Sequence, residues 1–412
     1  MVLWEHDTRL ASSLRDLPRA LRPSTLSAGL VAATIGVSGP PLLVYQAGLR
    51  AGYAPQELGS WFFAIFCGGG LFTLLLALAY RQPMTGAFSI AGAALLLQVL
   101  PQFGLHQAVG AYLLAGALIT ALAASGWFER LMGLVPQEIV LAMLAGVLLR
   151  FGVDLFPQLV QAPLLVGGTL AAYLLGHVLP RGIPPVALAL GVGVALAFAL
   201  HAVHPHAPDA QPVTWALTLP RFYGPEFSLN GFLSLSLPLV LLALSSQNAT
   251  GIGVLWAQGY RAPLHAITWA TGLLSLLTGA MAGHGVNLAT PMTALCADPS
   301  AHPDPELRYG AAVVTGVVWI ACGLLGLTMV GVIAFLPAGL ILTVAGLGLL
   351  PVILQSLQRA FGANRHRYGC VFALLIAASN ATWLGIGAAF WALLLAAPVS
   401  LILDRDWHLR QT

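Results

Sequence analysis

The sequence predicts an all-α polytopic membrane protein of fourteen transmembrane segments in two inverted seven-span repeats, with spans 3 and 10 each part strand and part short helix. Three observations lead there. Over 412 residues the chain is 58% hydrophobic and only 8% charged, against about 25% charged in a soluble domain. Apolar runs approaching the roughly 20 residues that cross a hydrocarbon core recur along the chain, as at 105–125, 163–179, 185–200 and 384–403. Two polar breaks, "RQPMTGAF" before Ser89 and "GHGVNLATP" around Thr290, interrupt such runs at an offset of 201 residues.

The elements follow in order. Residues 1–23 carry Arg9, Arg15, Arg19 and Arg22 ahead of the first apolar run and read as a cytoplasmic tail, not a cleavable signal peptide. Seven spans are expected at 24–48, 57–80, 83–100, 105–126, 136–156, 163–180 and 182–203. An outer loop occupies 204–228. Seven more spans are expected at 229–258, 262–281, 284–298, 308–335, 337–358, 366–383 and 384–403, before a second tail at 404–412. The chain has no lysine, so its 17 basic residues are all arginine. With the N-terminus inside, only Arg50, Arg150 and Arg221 fall near the outer side, which supports that orientation and the even span count.

Seven spans per half force the second half to enter from the opposite face. Any repeat is therefore inverted. A trace of it lies in "VPQEIVLAMLAGVLL" from Val135 and "LPAGLILTVAGLGLL" from Leu336, where Ala145-Gly146 matches Ala345-Gly346 at an offset of 200.

The polar breaks carry the chemistry. Thr290-Pro291 has the form of a helix start, with threonine as N-cap and proline where its missing N–H costs nothing. The "HGVNLA" before it is too rich in Gly, Asn and Val for a good helix and reads as extended. Exposed backbone at that depth survives only where protein or a water-filled cavity satisfies it. Two half-helices that start at mid-membrane from opposite sides point two N-termini, each with about half a positive charge, at one anion site. Interrupted helices at matching places in two repeats are the best sequence pointer to a transporter's substrate site. "TIGVSGPP" puts Ser38 and Gly39 at a further break in span 1, Gln247 and Asn248 offer amide donors in span 8, and Phe88 is an aromatic wall.

Other classes are disfavoured. No basic run with interleaved aromatics suggests nucleic acid. Neither a Walker motif nor HExxH, GxSxG or a paired-carboxylate constellation is present, which argues against ATP-driven transport and against an enzyme. The four cysteines, Cys67, Cys296, Cys322 and Cys370, lack metal or redox spacing and read as structural thiols. No cofactor and no metal are expected, and His201, His204 and His206 read as part of a solvated loop.

At "YRQPMTGAFSIAGAALL", "LALSSQNATGIGVL" and "GHGVNLATPMTALCADPSAHPDPELRY" the chain resembles the benzoate/proton symporter family of bacterial inner membranes, the BenE type. The resemblance covers nearly the full length. It implies the fold shared with uracil-type nucleobase transporters: a core domain of spans 1–4 and 8–11 (24–126 and 229–335) holding substrate, and a gate domain of spans 5–7 and 12–14 (127–203 and 336–403). It also implies import of a small aromatic carboxylate with protons, from within a lipid bilayer, and leaves a homodimer open. Nucleobase transporters of this fold carry glutamates in spans 8 and 10. Here the comparable stretches read Ser246-Gln247-Asn248 and Gly285-Val286-Asn287, which suits an anionic substrate, since a buried carboxylate beside it would be a like-charge pair.

The expected substrate-binding residues are therefore Ser38, Gly39, Phe88, Ser89, Gln247, Asn248, Gly285, Asn287 and Thr290, with His284 as the proton-coupling candidate because histidine titrates nearest neutrality. Arg150 and Asp154 read as an ion pair one helical turn apart, and Glu57 and Glu138 as interfacial. Benzoate carrying its own proton is the rival to His284. An uncoupled channel or uniporter, or a symporter of another small organic anion or nucleobase-like substrate, is the alternative reading.

Overall fold

A computed structural model of the chain describes residues 8–125, 136–179, 184–203, 215, 217–362, 366–379, 381–384 and 386–404. An amphipathic helix α1 (Leu10–Ala20) comes first. Helices α2 (Pro23–Ser38) and α3 (Pro40–Arg50) form one rod broken at Gly39, where Pro40 cannot continue the hydrogen-bond ladder. Then come α4 (Pro55–Tyr80), strand β1 (Gly86–Phe88), α5 (Ile90–Val99), α6 (Leu105–Ser125), α7 (Gln137–Val153), α8 (Leu155–Gln161), α9 (Pro163–Val178) and α10 (Pro185–Ala199). The rest comprises α11 (Leu229–Ala257), α12 (Leu264–Gly279), β2 (Val286–Leu288), α13 (Thr290–Ala297), α14 (Tyr309–Leu324), α15 (Gly326–Ala334), α16 (Ala338–Gly362), α17 (Arg367–Ser379) and α18 (Ala388–Leu403). Prolines open α2, α4, α9 and α10, where a missing N–H leaves nothing unsatisfied.

Among the described residues, six helical rods are long and apolar enough to cross a membrane: 23–50, α4, α6, α11, 305–324 and α16. Shorter apolar helices accompany them. One packing group joins α4 to α14 and α15, α6 to α12, and α2 to α14. A second joins α7 to α16, α17 and α18, and α9 to α10. Small residues set the close approaches: a Cβ on Gly70 of α4 would lie 2.6 Å from the Gly316 carbonyl of α14.

Two units at the centre are built alike. In the first, α4 ends in a left-handed residue, Arg81 (φ 54°), before β1 and α5; in the second, α12 is followed by left-handed Ala282 (φ 68°) before β2 and α13. Gly86 N–H donates to Thr73 Oγ1 (2.7 Å), and Val286 N–H donates to Ser275 Oγ (3.0 Å). Every matched position differs by 200 to 202 residues. The strands pair antiparallel, Ala87 opposite Asn287, so the units run in opposite senses.

Helix α11 departs from a plain span. Its backbone is π-helical at Phe232–Ser236 and Leu242–Asn248, the second of these carrying the Ser-Ser-Gln-Asn break. Such stretches release carbonyls from the helical ladder, and the Ser245 carbonyl accepts a hydrogen bond from Gln137 Nε2 of α7 (2.9 Å). The expected N-terminal tail is partly folded: α1 docks through Tyr309, whose hydroxyl donates to the Ser13 carbonyl (2.6 Å).

Candidate functional site

The antiparallel strand pair sends α5 and α13 outward in opposite directions, so the first turns of both helices converge on it. Those turns carry N–H groups that the helices cannot satisfy themselves. Strand backbone is paid attention by neighbouring side chains: Asn248 Oδ1 accepts from Leu288 N–H (2.8 Å), in addition to the Thr73 and Ser275 bonds.

Three cavities border this centre. An apolar one of about 460 Å³ touches the first turns of both half-helices, at Ile90 and Pro291, and is walled by Ser38, Pro40, Tyr173 and Val186. That volume is in the range of small-ligand pockets. A second, mixed one of about 660 Å³, lined by Gln137, Glu138, Gln358 and Arg359 together with apolar residues such as Leu141 and Val254, reaches Thr250. There Thr250 Oγ1 pairs with Thr290 Oγ1 at the start of α13. The third, among Ser89, Tyr112, His284, Gly285 and Asn287, offers about 10 Å³, room for about one water.

The expected residues are thus divided. Ser38 reaches the apolar cavity, and Gly39 faces Gly348 of α16, whose Cα lies 3.8 Å from where a Gly39 Cβ would be. Thr290 is the first residue of α13, its hydroxyl also 3.4 Å from the Gln247 carbonyl. The Gln247 side-chain amide has no hydrogen-bond partner among the described residues and is half-buried. Asn287 is buried with Oδ1 unpartnered, but it faces the one-water cavity, as does Gly285.

Three expectations are corrected by the packing. The Asn248 amide is buried and engaged at both ends, accepting from Leu288 N–H and donating to Thr271 Oγ1 (3.0 Å), so it anchors β2. Phe88 is enclosed by Phe66, Trp319 and His284, at centroid distances of 5.8, 5.9 and 5.6 Å, and does not line the apolar cavity. His284 is not free to present an imidazolium: Trp61 Nε1–H, which can only donate, is 3.0 Å from Nδ1, and Nε2 is 3.0 Å from the Ser89 carbonyl, which can only accept. The ring is therefore the neutral Nε2–H tautomer. Gly146, which the sequence matches to Gly346, packs against the Leu374 backbone and Ala377 of α17.

Glu57 caps its own helix by accepting from Ala54 N–H (2.7 Å), and Glu138 lies on the mixed cavity. His201 is exposed, and no cluster able to hold a metal occurs among the described residues. The Arg150 side chain, His204 and His206 lie outside the described residues. Polar groups alone do not point to Ile90, Tyr173, His177 and Val186, which wall the apolar cavity. Proline doublets such as Pro184-Pro185 were their one signal.

The comparisons with known proteins agree with this architecture. The chain matches the benzoate membrane transport protein family (BenE) over residues 19–402. It is 37% identical over 392 residues to the inner membrane protein YdcO of Escherichia coli (strain K12), covering 94% of this chain and 98% of that one. It is 30% identical over 387 residues to the benzoate membrane transport protein of Acinetobacter baylyi, covering 93% and 96%. Among solved structures, the transmembrane domain of a cyanobacterial bicarbonate transporter, BicA, superposes with a TM-score of 0.61 at 15% identity, over 94% of this chain and 97% of that one, a likeness of fold. The chain belongs to the benzoate membrane transport family, a family of transport proteins and not of enzymes.

Proposed function

We propose that this member of the benzoate membrane transport family imports benzoate or a similar small aromatic carboxylate together with protons, across a bacterial inner membrane with both termini cytoplasmic. The observation that carries the reading is the apolar cavity of about 460 Å³ that touches the first turns of both half-helices. An aromatic ring needs apolar walls, and a carboxylate needs uncommitted N–H donors at a helix start. The ring lies among Pro40, Ile90, Pro291 and Val186. The carboxylate turns toward Thr290 and the Gln247 amide.

The fourteen-span, seven-plus-seven reading is supported by the two matched strand–helix units and by their antiparallel pairing. In this reading the core (24–126 and 229–335) slides against the gate (127–203 and 336–403) in an elevator-type motion, and two copies associate as a homodimer. The apolar cavity lies between elements of both parts, with Pro291 from the core and Val186 and Val352 from the gate. Gln98 Nε2 donating to the Val147 carbonyl (2.8 Å) and Gln137 donating to the Ser245 carbonyl bridge the two parts and must break during the motion.

The test is a ligand panel. Purified protein should gain thermal stability with benzoate and salicylate, and not with uracil or sulfate. Vesicles containing it should take up labelled benzoate with protons. Uptake without proton flux would leave a uniporter, and stabilisation by uracil alone would overturn the substrate class.

A further inference from the structure

Outside the transport site, the face that carries α1 holds a second, charged cavity of about 1110 Å³. Arg9, Arg81, Arg261, Gln82, Gln258 and Glu306 line it, contributed by the start of α1, the end of α4, the turn after α11 and the segment before α14. Its ion pairs do not balance. Arg81 donates to Asp16 Oδ2 (2.8 Å) and lies 3.7 Å from Glu306, which also takes Arg9 (3.0 Å). The Arg81 bond holds the Asp16 carboxyl below its usual range, so it stays charged. Three guanidinium groups thus face two carboxylates, and the Arg261 side chain has no ion-pair partner among the described residues.

Two further observations say what fits there. Arg81 lines the cavity, is only 8% exposed and has a left-handed backbone, and its Nε makes no hydrogen bond, its one charged neighbour among the described residues being Glu306 Oε2 at 3.7 Å. The buried Gln82 Oε1 is likewise unpartnered and calls for a hydroxyl donor. Beside the cavity, α1 turns Leu10 and Leu14 outward at 49% and 53% exposure, with Leu21 following, while Arg15, Arg19 and Arg22 are also exposed. A short amphipathic helix with exposed leucines flanked by arginines lies in a membrane interface.

We propose that this face binds an anionic phospholipid, its phosphate among Arg9, Arg81 and Arg261, a headgroup hydroxyl on Gln82, and its acyl chains against Leu10 and Leu14. The site sits on α1, on the end of α4 and on the segments that lead into α12 and α14, and α1 packs on α4 and α14. A bound lipid therefore ties these elements to the leaflet on the N-terminal face.

The full-length protein in neutral detergent tests this, with binding read as a melting-temperature shift on titration with short-chain phosphatidylglycerol, short-chain phosphatidylcholine or inorganic phosphate. Phosphatidylglycerol should bind tightest. Arg261→Gln should weaken it about fivefold, the worth of one arginine near an anionic surface. Glu306→Gln should strengthen it, an opposite sign that a folding defect would not produce, and Leu10→Ser with Leu14→Ser should weaken phosphatidylglycerol alone. Equal affinity for the two lipids, or no change in Arg261→Gln, overturns the site. Inorganic phosphate binding as tightly as phosphatidylglycerol overturns the lipid as occupant.

Discussion

The two strand–helix units share a scaffold and differ in how their helix starts are finished. Helix α5 is sealed: Ser89 Oγ accepts from Gly92 N–H (2.9 Å), and the Ser89 carbonyl is held by His284, itself fixed by Trp61. Helix α13 begins after Ala289, which has no capping side chain, and its second residue is Pro291. At its start lie the hydroxyls of Thr290 and Thr250 and the backbone carbonyl of Gln247, whose side-chain amide has no hydrogen-bond partner among the described residues. A capped N-terminus has already spent part of its donor capacity on its own chain. In the proposed reading this difference places the substrate carboxylate at the start of α13 and makes α5 the rigid counterpart.

The largest effect should come from that open start. Thr290→Val keeps the shape of the side chain and removes the hydroxyl, so benzoate affinity should fall by about tenfold or more, the worth of a hydrogen bond to a charged group. Calorimetric titration of Thr290→Val beside Ser89→Ala sharpens the contrast. The serine variant should lose about 1 kcal/mol of stability as a cap while holding affinity within about threefold. Equal affinity losses would abolish the asymmetry.

Next in size are the neighbouring amides of α11. Asn248→Ala strands the buried Leu288 N–H, and should cost about 2 kcal/mol of stability, seen as a lower melting temperature before any ligand is added. Gln247→Leu should instead leave melting unchanged and weaken benzoate binding. A reversal of these two outcomes would mean that Gln247 is the anchor and Asn248 the ligand contact.

A smaller effect is expected at His284. With both ring nitrogens engaged and the ring neutral, His284→Gln should leave the pH dependence of benzoate binding unchanged between pH 5 and 8, with lowered stability from the lost Trp61 contact. A flattened pH profile would restore it as the proton carrier. The smallest effect concerns the proposed sliding face. A Cβ on Gly348 would meet only Val186 Cγ1 at 3.8 Å and Gly39 Cα at 3.9 Å, so Gly348→Ala should leave binding intact and slow vesicle uptake about twofold. Gly146→Leu, set against the Leu374 backbone, should instead destabilise the fold.

Much of this architecture was legible because membrane chemistry writes it strongly. Thr290-Pro291 announced a helix start, although Thr290 is the first helical residue and Ala289 the N-cap, one position earlier than expected, and the extended "HGVNLA" before it contains β2. The break at Gly39 followed from Pro40 and Pro41. What escaped the sequence was direction. A strand alternates its side chains, so Asn287 and its flanking residues point to different sides of β2, and no spacing rule says which side meets the substrate. Nor could the sequence show that Trp61, more than 200 residues away, fixes the tautomer of His284. The apolar cavity was missed for the opposite reason, since Ile90 and Val186 are ordinary membrane residues whose role appears only when the chain folds them together.

The most direct measurement is a structure of the protein with 4-iodobenzoate, in which the iodine locates the ring and its opposite end the carboxylate. The ring should lie between Ile90, Pro291 and Val186, with the carboxylate within hydrogen-bond distance of Thr290 or the Gln247 amide. Iodine among Tyr112, His284 and Asn287, with the carboxylate on the first turn of α5, would contradict the placement at the start of α13.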